Sequence, residues 1–155
     1  MKDLLIRIRA LLESVPYTLL TLPLRVGVGA VFWLSGMTKL DNWDSALQLF
    51  RDEYRVPLLP PEFAAHLALG VELCAPVFLV LGLLTRPTAF VLLGMTTVIE
   101  VFVYPLAWPT HIQWAAMLLV LLCRGPGKFS IDHLVWTRLA SRDSPQTVAA
   151  KSSLV

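Results

Sequence analysis

Four stretches of this chain stay apolar long enough to cross a bilayer, and the segments between them change to short amphipathic or proline-rich patterns. The spans fall at about 19–38, 63–84, 88–104 and 108–123, the last being short unless it begins near Trp108. Each is close to the roughly 20 residues that a helix needs to span hydrocarbon. The predicted fold class is therefore all-α, an integral membrane four-helix bundle making a single transmembrane domain over residues 1–140.

The remaining segments are read from their periodicity. Leu4, Leu5, Ile8, Leu11, Leu12 and Val15 recur at helical spacing among Lys2, Asp3, Arg9 and Glu13, which predicts a short helix on the inner leaflet. Pro23 is placed in the first turn of the first span, setting Arg25 near the inner interface. Between the first two spans, Trp43, Ala46, Leu47, Phe50 and Tyr54 predict an amphipathic helix on the outer surface. An extended connection over 56–61 follows, and Thr85, Arg86 and Pro87 are expected to turn the chain after the second span. Gly125, Pro126 and Gly127 end the fourth span, Ser130 caps a short surface helix over 131–139, and residues 141–155 read as a disordered cytoplasmic tail.

Composition sharpens the membrane reading. Hydrophobic residues make up 56% and charged residues 15%, against about a quarter charged in soluble domains. A net charge of +2 is too small for nucleic-acid binding. The basic residues sort by loop: Lys2, Arg7, Arg9, Arg86, Arg124, Lys128, Arg138, Arg142 and Lys151 on one side, Lys39, Arg51 and Arg55 on the other. The richer side is cytoplasmic by the positive-inside rule, so both termini are expected inside, in a bacterial inner membrane. Glu13, Pro16 and the lack of an A-x-A site argue against a cleaved signal.

Ionisable side chains inside spans are costly and mark candidate sites. Here they are Arg25, His66, Glu72, Glu100 and His111, with Lys39 at the outer end of the first span. Arg25, Gly29, Phe32, Gly36 and Lys39 share one helix face, either a packing seam or a binding face. Thr97, Glu100 and Tyr104 form a polar stripe on the third span. Helical rise places Glu72, Glu100 and His111 in the outer half, so they can join Lys39 and Tyr104 around an outward-facing cavity walled by Trp33, Trp108 and Trp114. Two blander readings compete: interfacial anchoring for the aromatics, and bundle-holding salt bridges from the carboxylates to Arg25 or Lys39. No metal site is expected, since no span carries a pair of ligands one turn apart. Cys74 and Cys123 form no CxxC and lie at different depths.

The chain resembles the DoxX family of small four-helix membrane proteins. The resemblance rests on Leu24-Arg25-Val26-Gly27, Gly36-Met37-Thr38-Lys39-Leu40, Glu72, Leu81-Gly82-Leu83-Leu84-Thr85-Arg86 and Gly125-Pro126-Gly127-Lys128-Phe129-Ser130-Ile131-Asp132, and runs over about 22–134. It implies likeness to a small subunit of an archaeal thiosulfate:quinone oxidoreductase and to membrane partners of redox, thiol-stress or metal-peptide-maturation proteins. Arg25, Lys39, Glu72 and Asp132 match family positions, with no catalytic role attached to them. The leading expectation is a membrane redox component that binds a quinone or other apolar ligand and works with other subunits, or with further copies of itself. Arg25, Lys39, Glu72, Glu100, Tyr104 and His111 are its candidate polar site. The alternatives are a non-enzymatic adaptor that recruits a soluble partner through Trp43 and Phe50, and a small-solute transporter.

Overall fold

The computed structural model describes residues 1–54, 56 and 58–142. Arg55, Pro57 and the predicted disordered tail past residue 142 lie outside the described residues. Seven α-helices occur among them: α1 Lys2–Glu13, α2 Tyr17–Asp41, α3 Trp43–Asp52, α4 Pro61–Leu81, α5 Thr85–Val98, α6 Trp108–Arg124 and α7 Ile131–Arg142. A π-helical turn, Ile99–Val103, continues α5, and a short 3-10 turn, Pro105–Ala107, leads into α6.

α2, α4, α5 with its π turn, and α6 with its 3-10 turn are long and apolar enough to cross a membrane. They run up and down in sequence, α2 against α4, α4 against α5, α5 against α6, and α6 closes the ring on α2. Val28, Phe32, Ala75, Leu79, Ala89, Leu92, Leu118 and Leu121 fill the centre. The outside carries Val26, Leu34, Phe90 and Ile112, all exposed, whereas Thr21, Arg25, Glu72, Thr96 and His111 are buried. Apolar side chains facing out and polar ones facing in suit a lipid solvent, because a polar group costs most where only hydrocarbon surrounds it. The protein is thus a multi-pass membrane bundle.

Element boundaries depart from the periodicity in three places. The α4–α5 turn falls at Gly82–Leu84 instead of Thr85–Pro87, so Arg86 and Pro87 belong to the first turn of α5. Asp132 decides this, since its carboxylate accepts the backbone N–H groups of Leu84 (2.7 Å) and Thr85 (2.9 Å) and so caps α5 from another element. Pro61 begins α4, where a missing N–H costs nothing. Pro23 sits inside α2 instead of in its first turn, because α2 starts as early as Tyr17.

Candidate functional site

The expected six-residue polar site divides between the two ends of the bundle. Arg25 and Lys39 are fourteen residues apart on one helix, about 21 Å at helical rise. Arg25 is 2% exposed and pairs with no carboxylate among the described residues. It donates to the backbone carbonyls of Leu79 (2.8 Å), Phe129 (2.7 Å), Pro126 (3.3 Å) and Val80. Membership of the candidate site is therefore corrected for Arg25, which ties the C-terminal end of α4 to the Gly-Pro-Gly turn. A guanidinium suits this place, because its fork serves several carbonyls at once and its charge complements the negative end of a helix.

Neighbouring contacts complete that knot. Tyr17 donates its hydroxyl to Gly125 O (3.0 Å) and Thr21 to Pro126 O (2.9 Å), while Ser130 Oγ accepts from the His133 N–H (3.2 Å). Gly82 has φ +66, and a Cβ there would lie 2.5 Å from Ser130 Cβ and 2.8 Å from Arg25 Nη2, so glycine is required for backbone and space alike.

The α3 end holds a cavity of about 460 Å³. Phe32, Val71, Met95, Val98, Ile99 and Trp114 supply part of its apolar lining, and Lys39, Glu72, Tyr54, Tyr104, Ser35 and His111 bring polar groups to it. Trp33 and Trp108, expected in the wall, instead face outward on the exposed sides of α2 and α6. The helices approach closely here because Gly36 lets α4 in: a Cβ on it would lie 2.9 Å from Leu73 Cδ2 and 3.1 Å from Glu72 Cβ.

Lys39 and Glu72 form an ion pair whose side chains are 16% and 2% exposed. Lys39 Nζ donates to Glu72 Oε1 (2.8 Å) and to Ser35 Oγ (3.0 Å), and the Ser35 hydroxyl donates to Oε1 (3.0 Å). The ammonium is also 2.7 Å from Oε2, off the line that a hydrogen bond needs, so this buried oxygen has no aligned donor among the described residues. The ammonium compensates the charge on both carboxylate oxygens, and of the two side chains Lys39 is the more accessible from the cavity.

Glu100 and His111 form the other pair, with His111 Nδ1 2.5 Å from Glu100 Oε2. His111 is buried and lines the cavity, whereas Glu100 is 29% exposed and reaches the site only through His111. Glu100 lies in the π turn, where Tyr104 N–H bonds back to Ile99 O (2.8 Å). That extra residue per turn breaks the expected Thr97–Glu100–Tyr104 stripe, and the Thr97 hydroxyl bonds back to its own helix, at Leu93 O.

Tyr104 reaches the Tyr54 hydroxyl at 2.7 Å. This contact joins the loop after α3 to the end of the π turn across the cavity's lining. Burial, then the Tyr104 hydrogen bond, raises the Tyr54 phenol above its ordinary value. Sequence reasoning missed Ser35 and Tyr54 as site residues. Ser35 was signalled as the polar residue one turn before Lys39, while nothing local marked Tyr54 beyond its place on the α3 stripe.

Trp43 and Phe50, the expected partner surface, point inward. Phe50 packs with Ala64 and Ala65 of α4, and Trp43 lies beside them with its ring 4.6 Å from that of His66. Their apolar stripe finds α4 within the same chain, which corrects their assignment as a docking face. His66 Nδ1 is engaged with Glu62 O (2.7 Å), and Glu62 pairs with Arg51. Among the described residues no group of three His, Cys, Asp or Glu side chains is placed to hold a metal ion.

The DoxX family model matches residues 20–105. The chain belongs to the DoxX family. The matched stretch contains Arg25, Lys39, Glu72, Gly82, Glu100 and Tyr104, and it covers the resemblance read from sequence as far as residue 105. A Haemophilus influenzae relative, described as an uncharacterized protein, is 31% identical over 119 residues, which cover 67% of this DoxX chain and 75% of the relative. No solved structure matches. The motif residues of this DoxX protein thus fall into two groups, those tying the Gly-Pro-Gly end and those around the cavity at the α3 end.

Proposed function

We propose that this DoxX protein is a component of a membrane redox system that holds a quinone, or a similarly apolar ligand with a polar head, in the cavity at the α3 end. The observation that carries this reading is the buried Lys39–Glu72 ion pair, both of whose residues line an apolar cavity. A volume of about 460 Å³ is within the usual range for small-molecule sites, which are mostly apolar with a few fixed polar groups. A bound quinone supplies two-electron, two-proton chemistry. Lys39, the more exposed of the pair, is the donor for a ligand carbonyl, and Glu72 holds its ammonium in place. His111, oriented by Glu100, can hold or pass a proton at its ring.

The loop charges favour a bacterial inner membrane with both termini inside, so the cavity belongs to the outer half of the bilayer. Other subunits would deliver or collect the electrons. Detection of quinone by mass spectrometry on protein purified in mild detergent, and its loss from Glu72→Gln, is the expected result. Quinone-free wild type, or equal amounts on the variant, would refute the reading. An adaptor would have to use the polar face of α3 or the terminal helices, since Phe50 is buried.

A further inference from the structure

A second cleft, of about 870 Å³, opens at the other end of the bundle, beside the Gly-Pro-Gly turn. Arg86, Arg124 and Lys128 line it, with Tyr17, Asp132 and Trp136. Among the described residues none of these three cations has a carboxylate partner. Arg86 makes one long contact to Cys123 O (3.5 Å), and Arg124 lies over the Tyr17 ring at 5.7 Å. Asp132 also lines the cleft and offsets one of the three charges without pairing with any of them, its oxygens accepting backbone N–H groups at the start of α5. The cleft is thus a fixed positive site with most of its donor capacity unused.

Its depth in the membrane is set by the helices that build it. α2 and α5 begin here and α6 ends here, so the cations stand where spans meet headgroups. Trp136 is 71% exposed beside the cleft, as an interfacial aromatic would be. α1 leads into the same place, at Pro16, as a helix with no buried residue, its leucines exposed along with Arg7 and Arg9. A basic amphipathic helix whose apolar face meets no partner among the described residues is suited to lying on lipid.

We infer that this cleft binds the phosphate of an anionic phospholipid headgroup, with Arg86, Arg124 and Lys128 as its ligands. Basic pockets between span ends take such headgroups, and two guanidiniums with an ammonium match the oxygens of phosphatidylglycerol or cardiolipin. The site is remote from the ligand cavity and does not depend on what that cavity holds.

The test is native mass spectrometry of the full chain released from bilayer discs of phosphatidylcholine, with or without a small fraction of cardiolipin. Wild type should retain cardiolipin selectively. Retention should fall about fivefold for each neutralised cation and roughly a hundredfold in Arg86→Gln/Arg124→Gln/Lys128→Gln. All three side chains border open space, so the variant should keep the wild-type melting temperature in pure phosphatidylcholine, which separates lost binding from lost folding. Equal retention by wild type and triple variant would overturn the inference. So would displacement of the lipid by millimolar inorganic phosphate, which would make free phosphate the ligand.

Discussion

Replacing Arg25 by methionine removes a guanidinium from four carbonyls, and the loss can be worked out carbonyl by carbonyl. Leu79 O keeps the Gly82 N–H (3.1 Å) and Pro126 O keeps the Thr21 hydroxyl (2.9 Å). Val80 O and Phe129 O lose the donor that Arg25 supplies. A buried polar group left unsatisfied costs about 1–3 kcal/mol, so Arg25→Met should destabilise by about 2–6 kcal/mol. The desolvation cost that the charge no longer bears pulls the value toward the lower end. Arg25→Lys should lose about 1–3 kcal/mol, since one ammonium cannot fork across Val80, Leu79 and Phe129 together. The assay is equilibrium unfolding in mixed micelles of mild detergent and dodecyl sulfate, followed by tryptophan fluorescence. Ligand binding at the far end, measured on the fraction that remains folded, should be unchanged. A loss under about 1 kcal/mol for Arg25→Met, or wild-type stability in Arg25→Lys, would refute the carbonyl-tying role.

Three further outcomes are expected. Glu72→Gln strands a largely buried ammonium; Lys39 stands near the end of α2 and can turn toward water, so the single variant should lose about 1–3 kcal/mol and Lys39→Met/Glu72→Gln should recover most of it. Additive losses in that cycle would show that the two groups do not interact. Gly36→Ala should destabilise by about 1–3 kcal/mol through contact with Leu73, whereas Gly27→Ala, with nothing within 4 Å of its Cβ, should be neutral or stabilising by about 0.5–1 kcal/mol; similar melting temperatures for the two would contradict the packing. The Tyr54 phenol is raised in the folded protein, so its contribution to stability is complete below pH about 10 and is lost as pH rises through the folded value. Absorbance of phenolate in wild type minus Tyr54→Phe should therefore grow only well above pH 10, and growth centred at 10 would count against the buried Tyr54–Tyr104 contact.

The fold was legible where lipid dictates composition. Four apolar stretches became four spans, and the Ser130 cap and the amphipathic α3 stripe followed from local rules. Turn placement was not legible, because the α4–α5 turn is set by Asp132, about fifty residues further on, and not by the Thr85-Arg86-Pro87 chemistry beside it. The same limit applies to the site. Depth along a helix is readable from residue number, so Lys39 and Glu72 could be placed together, and the structure pairs them. Azimuth is less readable once a π turn intervenes, so the Glu100 stripe did not survive. Arg25 was misassigned because a buried charge is expected to seek a carboxylate, whereas backbone carbonyls at a helix end serve a guanidinium equally well. The inward turn of Phe50 reflects a partner surface found within the chain itself.

Trp114 lines the cavity, so a variant keeping it as the sole tryptophan, with Trp33, Trp43, Trp108 and Trp136 replaced by Phe, reports on the cavity alone. In lipid discs, titration with a short-chain ubiquinone should quench its fluorescence to saturation at one quinone per chain. Adding Glu72→Gln should weaken that binding by about tenfold or more, as loss of one hydrogen bond to a charged group does. Quenching that rises in proportion to the quinone-to-lipid ratio, without saturation and identically in the Glu72→Gln background, would contradict a quinone site in this protein.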